Sequence, residues 1–187
     1  AASDAVGFSG WFRPPLRLIA NAAVSVIIYN RNTSTPLQHL QHHTNRVWAV
    51  AFHPTLPLLA TASWDSSVIT YNTKTWTRLQ HLQHHTNYVK SVCFHPTLPL
   101  LATASVTVII YNTNTWTRLQ HLQHHTNSVM SVAFHPTLPL LATGSWDSSV
   151  ITYNTKTWTR LQHLQYHTNY VKSACFHPTL PLRSAEH

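Results

Sequence analysis

Apolar and polar positions in this chain follow a short-strand pattern. Val47-Trp48-Ala49-Val50-Ala51-Phe52 is a continuous apolar run closed by His53-Pro54. Leu58-Leu59-Ala60-Thr61-Ala62 follows and stops at the polar turn Trp64-Asp65-Ser66-Ser67. Val68-Ile69-Thr70-Tyr71 comes next, then the turn Asn72-Thr73-Lys74-Thr75, and a fourth run over 76–82 that ends in His84-His85. β-branched and aromatic residues dominate these runs, turn residues separate them, and helical spacing is nowhere sustained; four antiparallel strands are predicted. The first three runs are almost wholly apolar, so the sheet is expected to be covered on both faces, as when sheets stack around an axis.

The whole motif recurs. His-Pro-Thr-Leu-Pro stands at 53–57, 95–99, 135–139 and 177–181, and Leu-Gln-His-Leu-Gln at 37–41, 79–83, 119–123 and 161–165. A fixed period of about 40 residues is the mark of a repeat architecture. A longer period lies above it: Trp-Asp occurs at 64–65 and 146–147 but not in the intervening unit, and Tyr88-Val89-Lys90-Ser91 returns as Tyr170-Val171-Lys172-Ser173. The repeat is thus a pair of units 82 residues long.

A 40–42-residue unit of four strands, with these residues at these places, resembles the WD-repeat (tryptophan-aspartate repeat) β-propellers over about residues 22–182. The resemblance implies an all-β fold of four-stranded antiparallel blades. It also implies a hydrogen-bonded network of His, Ser/Thr, Asp and an aromatic side chain between the strands of each blade. His43, Thr61, Asp65 and Tyr71 fall at the matching places, as do His125, Thr143, Asp147 and Tyr153. The middle unit has His85, Thr103 and Tyr111 but no Asp, because Ser63-Trp64-Asp65-Ser66-Ser67-Val68 is shortened there to Ser105-Val106-Thr107-Val108. Its second turn is expected to be tighter. The family's Gly before the network His is here His42, His84, His124 or Tyr166, and its closing Trp-Asp is Tyr-Asn.

Three units are complete, 42–83, 84–123 and 124–165, flanked by partial units 22–41 and 166–187. The first partial unit offers third and fourth strands, and the last a first strand and the start of a second. Three closures follow: a four-blade ring in one chain, an open arc capped by a partner, or half of an eight-blade ring made by two chains. An uncovered edge is an aggregation hazard, so some closure is expected. Residues 1–21 read as an N-terminal extension outside the repeats, aromatic and basic around Trp11-Phe12-Arg13.

Composition narrows the function. Only 9% of residues are charged, yet twelve Lys and Arg face four acids, giving +8 and favouring an anionic partner. No run is apolar enough to span a membrane as a helix. Cys93 and Cys175 sit in apolar runs at equivalent places and read as small buried hydrophobes without zinc spacing. The sixteen His include His81, His84 and His85, which resemble a metal cluster, but repeat geometry assigns His85 to the network and His81 to the outer strand, so no metal is expected. With three Gly no phosphate-cradling loop forms, and both repeat Asp are committed to turns, so no enzyme activity and no cofactor are expected.

Binding residues are better sought where near-identical units differ. One such position reads Arg46, Tyr88, Ser128, Tyr170; a second reads Trp48, Lys90, Met130, Lys172. The resemblance places both at the start of the innermost strand, around the mouth of the central channel, with Trp64 and Trp146 on the same rim. Arg, Tyr and Trp dominate interface hot spots. Trp76, Trp116 and Trp158 are expected to pack between blades. The reading is a non-catalytic scaffold subunit binding protein partners through this rim, in an intracellular setting, cytoplasm or organelle. An RNA-contacting ribonucleoprotein component is the alternative, and a homodimer completing the propeller a further expectation. A hydrolase or metal enzyme is the third class, to be recognised by tightly held metal.

Overall fold

The computed structural model describes residues 18–22, 25–30 and 32–177. Among the described residues fifteen strands make four antiparallel sheets. The first sheet holds β1 (Leu18–Ala22), β2 (Val26–Asn30) and β3 (Pro36–Leu40). The second holds β4 (Val47–Phe52), β5 (Leu58–Ser63), β6 (Val68–Asn72) and β7 (Arg78–Leu82). The third holds β8 (Ser91–Phe94), β9 (Leu100–Ala104), β10 (Val108–Asn112) and β11 (Arg118–Leu122). The fourth holds β12 (Val129–Phe134), β13 (Leu140–Ser145), β14 (Val150–Asn154) and β15 (Arg160–Leu164). Strands pair in chain order within each sheet, which gives the four-stranded blade anticipated from the repeat. No helix among the described residues is long and apolar enough to cross a membrane.

Blades stack because each buries apolar side chains on both faces. Val26, Ile28 and Leu40 pack against Val47, Leu59, Ile69 and Tyr71 of the next blade. Ala60, Ala62, Val68 and Leu82 then meet Val92, Phe94, Ile109 and Tyr111, and Ala102, Val108 and Ile110 meet Val132, Phe134, Ile151 and Tyr153. The alanines of the second strand let the following blade approach closely. One backbone bond repeats from the second sheet onward: Val89 N–H to Ser63 O, Val129 N–H to Ser105 O and, between the fourth sheet and residues 166–177, Val171 N–H to Ser145 O, at 2.9, 2.6 and 2.9 Å. At the last junction Gly144 replaces that alanine, and a Cβ there would stand 2.7 Å from Val171 Cγ1. Trp76, Trp116 and Trp158 pack into the three junctions from just before each outer strand, as expected, with φ near +58°.

The ends depart from the partial units read from sequence. β1 pairs with β2 in the register Leu18↔Asn30 to Ala22↔Val26, which repeats Leu58↔Asn72 to Ala62↔Val68 of the second sheet. It therefore occupies the second-strand place in the first sheet, reaching back into 1–21. The sequence reading left a second strand to the last partial unit, of which 178–187 lie outside the described residues, as do 1–17 of the extension. Residues 166–177 form no paired strand but lie against the fourth sheet, through Val171 and the reciprocal pair of Ser131 Oγ with Ala174 N and O at 3.1 and 3.3 Å. Among the described residues no strand pairing joins them to β1.

Candidate functional site

Each blade is held by polar groups inside its own strands. The Asp65 carboxylate accepts four hydrogen bonds: from His43 Nδ1 at 2.7 Å, Thr44 N at 3.0 Å, Ser67 N at 3.0 Å and Ser67 Oγ at 2.6 Å. Thr61 Oγ1 lies 2.8 Å from His43 Nε2. Burial presses the Asp65 carboxyl upward, but the bonds from Ser67 and His43 outweigh it and hold it below its ordinary value. Burial lowers His43 despite the carboxylate beside it, so the ring is neutral at pH 7. A neutral ring that gives its Nδ1 proton to Asp65 presents Nε2 as an acceptor, and the Thr61 hydroxyl donates to it. His125, Thr143, Asp147 and Ser149 repeat the set, with Asp147 held at about 2.

The predicted network is thus assembled for His, Thr and Asp, with two differences. Ser67 and Ser149 belong to it. Tyr71, Tyr111 and Tyr153 join it beside Thr61, Thr103 and Thr143, and their hydroxyls also meet His42, His84 and His124 Nδ1 at 3.3, 3.1 and 3.3 Å. The histidine that replaces the family's glycine thereby gives the tyrosine a second partner, and burial pushes each phenol up to about 12. In the middle blade the shortened turn closes by Ser105 N–H to Thr107 O at 2.9 Å. With no carboxylate, His85 Nε2 donates to Thr103 Oγ1 at 2.8 Å, Thr103 in turn donates to Ile109 O, and His85 Nδ1 is buried without a partner among the described residues. Burial, with His121 and His84 nearby, lowers this ring to about 4. A further set was not foreseen: His53, His95 and His135 use Nδ1 to accept the backbone N–H groups two and three residues on, shaping each His-Pro-Thr-Leu turn.

Eight of the ten rim residues, all but Met130 and Lys172, fall into two contact groups. Backbone bonds from Trp64 N to Arg46 O and from Trp146 N to Ser128 O, both 2.9 Å, tie each turn to the residue before the inner strand. Trp64 stacks on Trp48 (5.3 Å, 17°) and on Tyr88 of the next blade (5.0 Å, 15°), and the Arg46 guanidinium lies 5.4 Å from its ring centre. Lys90 Nζ crosses to the following blade, 4.0 Å from the Trp146 ring centre and 2.9 Å from Ser128 Oγ, and Trp146 stacks on Tyr170 (5.3 Å, 30°). Trp48, Tyr88, Trp146 and Tyr170 expose 42, 45, 37 and 58% of their surface, too much for core residues. Lys172 is exposed and Met130 half-buried in β12. This surface offers stacked rings and cations held against them. Groups of three His, Cys, Asp or Glu fit to hold a metal do not occur among the described residues.

A family model, the WD domain, G-beta repeat, matches residues 34–72, 76–106 and 116–154, more than half of the chain. The middle match stops at Val106, where the shortened turn lacks the aspartate. No curated protein matches the chain. Proteins built of such repeats generally act as non-catalytic scaffolds for protein–protein interaction. The blades, the His-Thr-Asp networks and the matched repeats agree: this chain belongs to the WD-repeat family.

Proposed function

We propose that this chain is a non-catalytic interaction subunit that docks protein partners on the rim formed by Arg46, Trp48, Trp64, Tyr88, Lys90, Ser128, Met130, Trp146, Tyr170 and Lys172. The observation that carries the reading is the ladder of rings crossing from blade to blade: Trp48, Trp64 and Tyr88, then Lys90, Trp146 and Tyr170. Large, rigid, half-exposed aromatics with pre-positioned cations bind at low entropic cost, because stacking has already restricted their rotamers. Replacing Arg46, Trp48, Tyr88 and Lys90 together by Ala tests it. Proteins captured by the wild-type chain from its source cells are expected to be lost while the melting temperature holds. Unchanged capture, or loss of folding, contradicts the reading.

A second reading, contact with RNA, draws on the net charge of +8 and the exposed rings. Retention on immobilised RNA with a steep salt dependence supports it.

A further inference from the structure

We infer that the rim recognises an acidic peptide segment, whose carboxylates meet the cations and ring edges of the ladder while its apolar side chains lie along the rings. This rests on the docking reading above and names the partner's chemistry. The first support is charge. The carboxylates next to Trp64 and Trp146 are Asp65 and Asp147, and both are turned inward onto four donors each. No acid among the described residues pairs with Arg46, Lys90 or Lys172. Asp4 and Glu186, the other two acids, lie outside those residues. Among the described residues the rim cations are therefore not neutralised by an acid, and a Lys90 ammonium that spends one donor on Ser128 keeps two more.

The second support is the orientation of the rings. Trp64 is stacked by two rings and approached by a guanidinium, and Trp146 by one ring and an ammonium. Single-stranded nucleic acid binds aromatic surfaces by laying successive bases on open ring faces. Here the faces of both turn tryptophans are already engaged, which leaves for bases only the outer sides of Trp48, Tyr88 and Tyr170, each stacked on one ring. Ring edges bear the positive end of the aromatic quadrupole and attract carboxylate oxygens. The third support is continuity. Tyr88 and Lys90 are two residues apart on the stretch leading into β8, yet Tyr88 reaches the blade before and Lys90 the blade after. One extended ligand can therefore lie across three blades, with alternate side chains facing the rim.

Fluorescence anisotropy on the full 187-residue chain tests this with three probes at one ionic strength. They are a labelled peptide alternating Glu and Leu, its counterpart with Gln for Glu, and an oligouridylate. The acidic peptide is expected to bind at least about tenfold more tightly than either other probe, two lost charge contacts being worth roughly that factor. Arg46→Gln with Lys90→Gln should weaken it by a similar factor and leave the melting temperature in place; Lys172→Gln, at an exposed position, gives a milder loss if the double variant misfolds. Equal binding of the Gln peptide, tighter binding of the oligouridylate, or an affinity indifferent to all three substitutions overturns the inference. If the fourfold rim variant loses its protein partners while the acidic peptide shows no preference, docking stands and only this chemistry falls. If that variant keeps every partner, both fall.

Discussion

Asp65→Ala is expected to destabilise the fold by about 1–3 kcal/mol, the cost of one buried backbone donor left unpaired. The figure comes from tracing each bond the carboxylate accepts. Thr44 N is on an exposed residue and can turn to water. His43 can move its proton to Nε2 and adopt the arrangement of His85, which lives in the middle blade without any carboxylate. Its freed Nδ1 then accepts from the Ser67 hydroxyl, already 3.3 Å away. Ser67 N remains, on a residue only 1% exposed, with no second acceptor at hand. For a chain of this size each kcal/mol lowers the melting temperature by about 2–4 °C, so a fall of roughly 3–10 °C should appear in calorimetry or thermal circular dichroism. Asp147→Ala should match it, and the double variant should sum the two, since a whole blade separates the sites. A melting temperature within about 1 °C of wild type would refute the role given to the carboxylate.

Acid should unfold the protein in two stages. The His85 ring, lowered from 6.5 to about 4, binds its proton more readily unfolded than folded, so stability declines as pH falls through that window; His85→Gln should flatten the decline in urea titrations. Asp147, lowered from 3.8 to about 2, contributes fully above the unfolded value and loses its contribution as pH drops toward 2, a loss that Asp147→Ala should lack. Ser66 sits in the turn at φ 68°, so Ser66→Gly should be neutral or stabilising by up to about 1 kcal/mol in chemical denaturation, whereas Ser66→Val should destabilise. Ile27 and Tyr29 are half-exposed where Ile69 and Tyr71 are buried, so the face of the first sheet is expected to be covered by a partner or a second copy. Sedimentation at micromolar concentration should show a species heavier than the monomer that Ile27→Glu reduces; a monomer throughout would leave that face bare.

Strands and blades were legible because each recurs at a constant period, whereas the His-Thr-Asp set was legible only through the resemblance to the WD-repeat family. Ser67 was overlooked, although a Ser two residues after an Asp is a common Asx-turn arrangement. The pairing of Tyr71 with His42 was not legible, since it arises where the family's glycine has been replaced. Nor could the sequence show that Trp76 adopts a positive φ, where packing between blades overrides local preference. β1 was hidden by divergence: Leu18-Ile19-Ala20-Asn21-Ala22 stands 82 residues before Leu100-Leu101-Ala102-Thr103-Ala104, and Phe12 and Pro14 stand likewise before Phe94 and Pro96. Applying the double-unit period to the first residues reveals the match. Matching short motifs does not, because Arg13-Pro14-Pro15 has replaced His-Pro-Thr. The rim positions were found by the opposite logic, from places where copies disagree, and the ring-to-ring stacking that links them required the three-dimensional arrangement.

Site-specific photo-crosslinking tests the central claim, docking through the rim, most directly. A benzophenone amino acid is placed at Trp48 in one sample and at Leu119, equally exposed on the outer strand β11, in another. Irradiation in extracts of the source cells should give discrete protein adducts from position 48 and few from position 119. Adducts arising equally from both, or chiefly from position 119, would show that partners grip the outside of the blades and contradict the account.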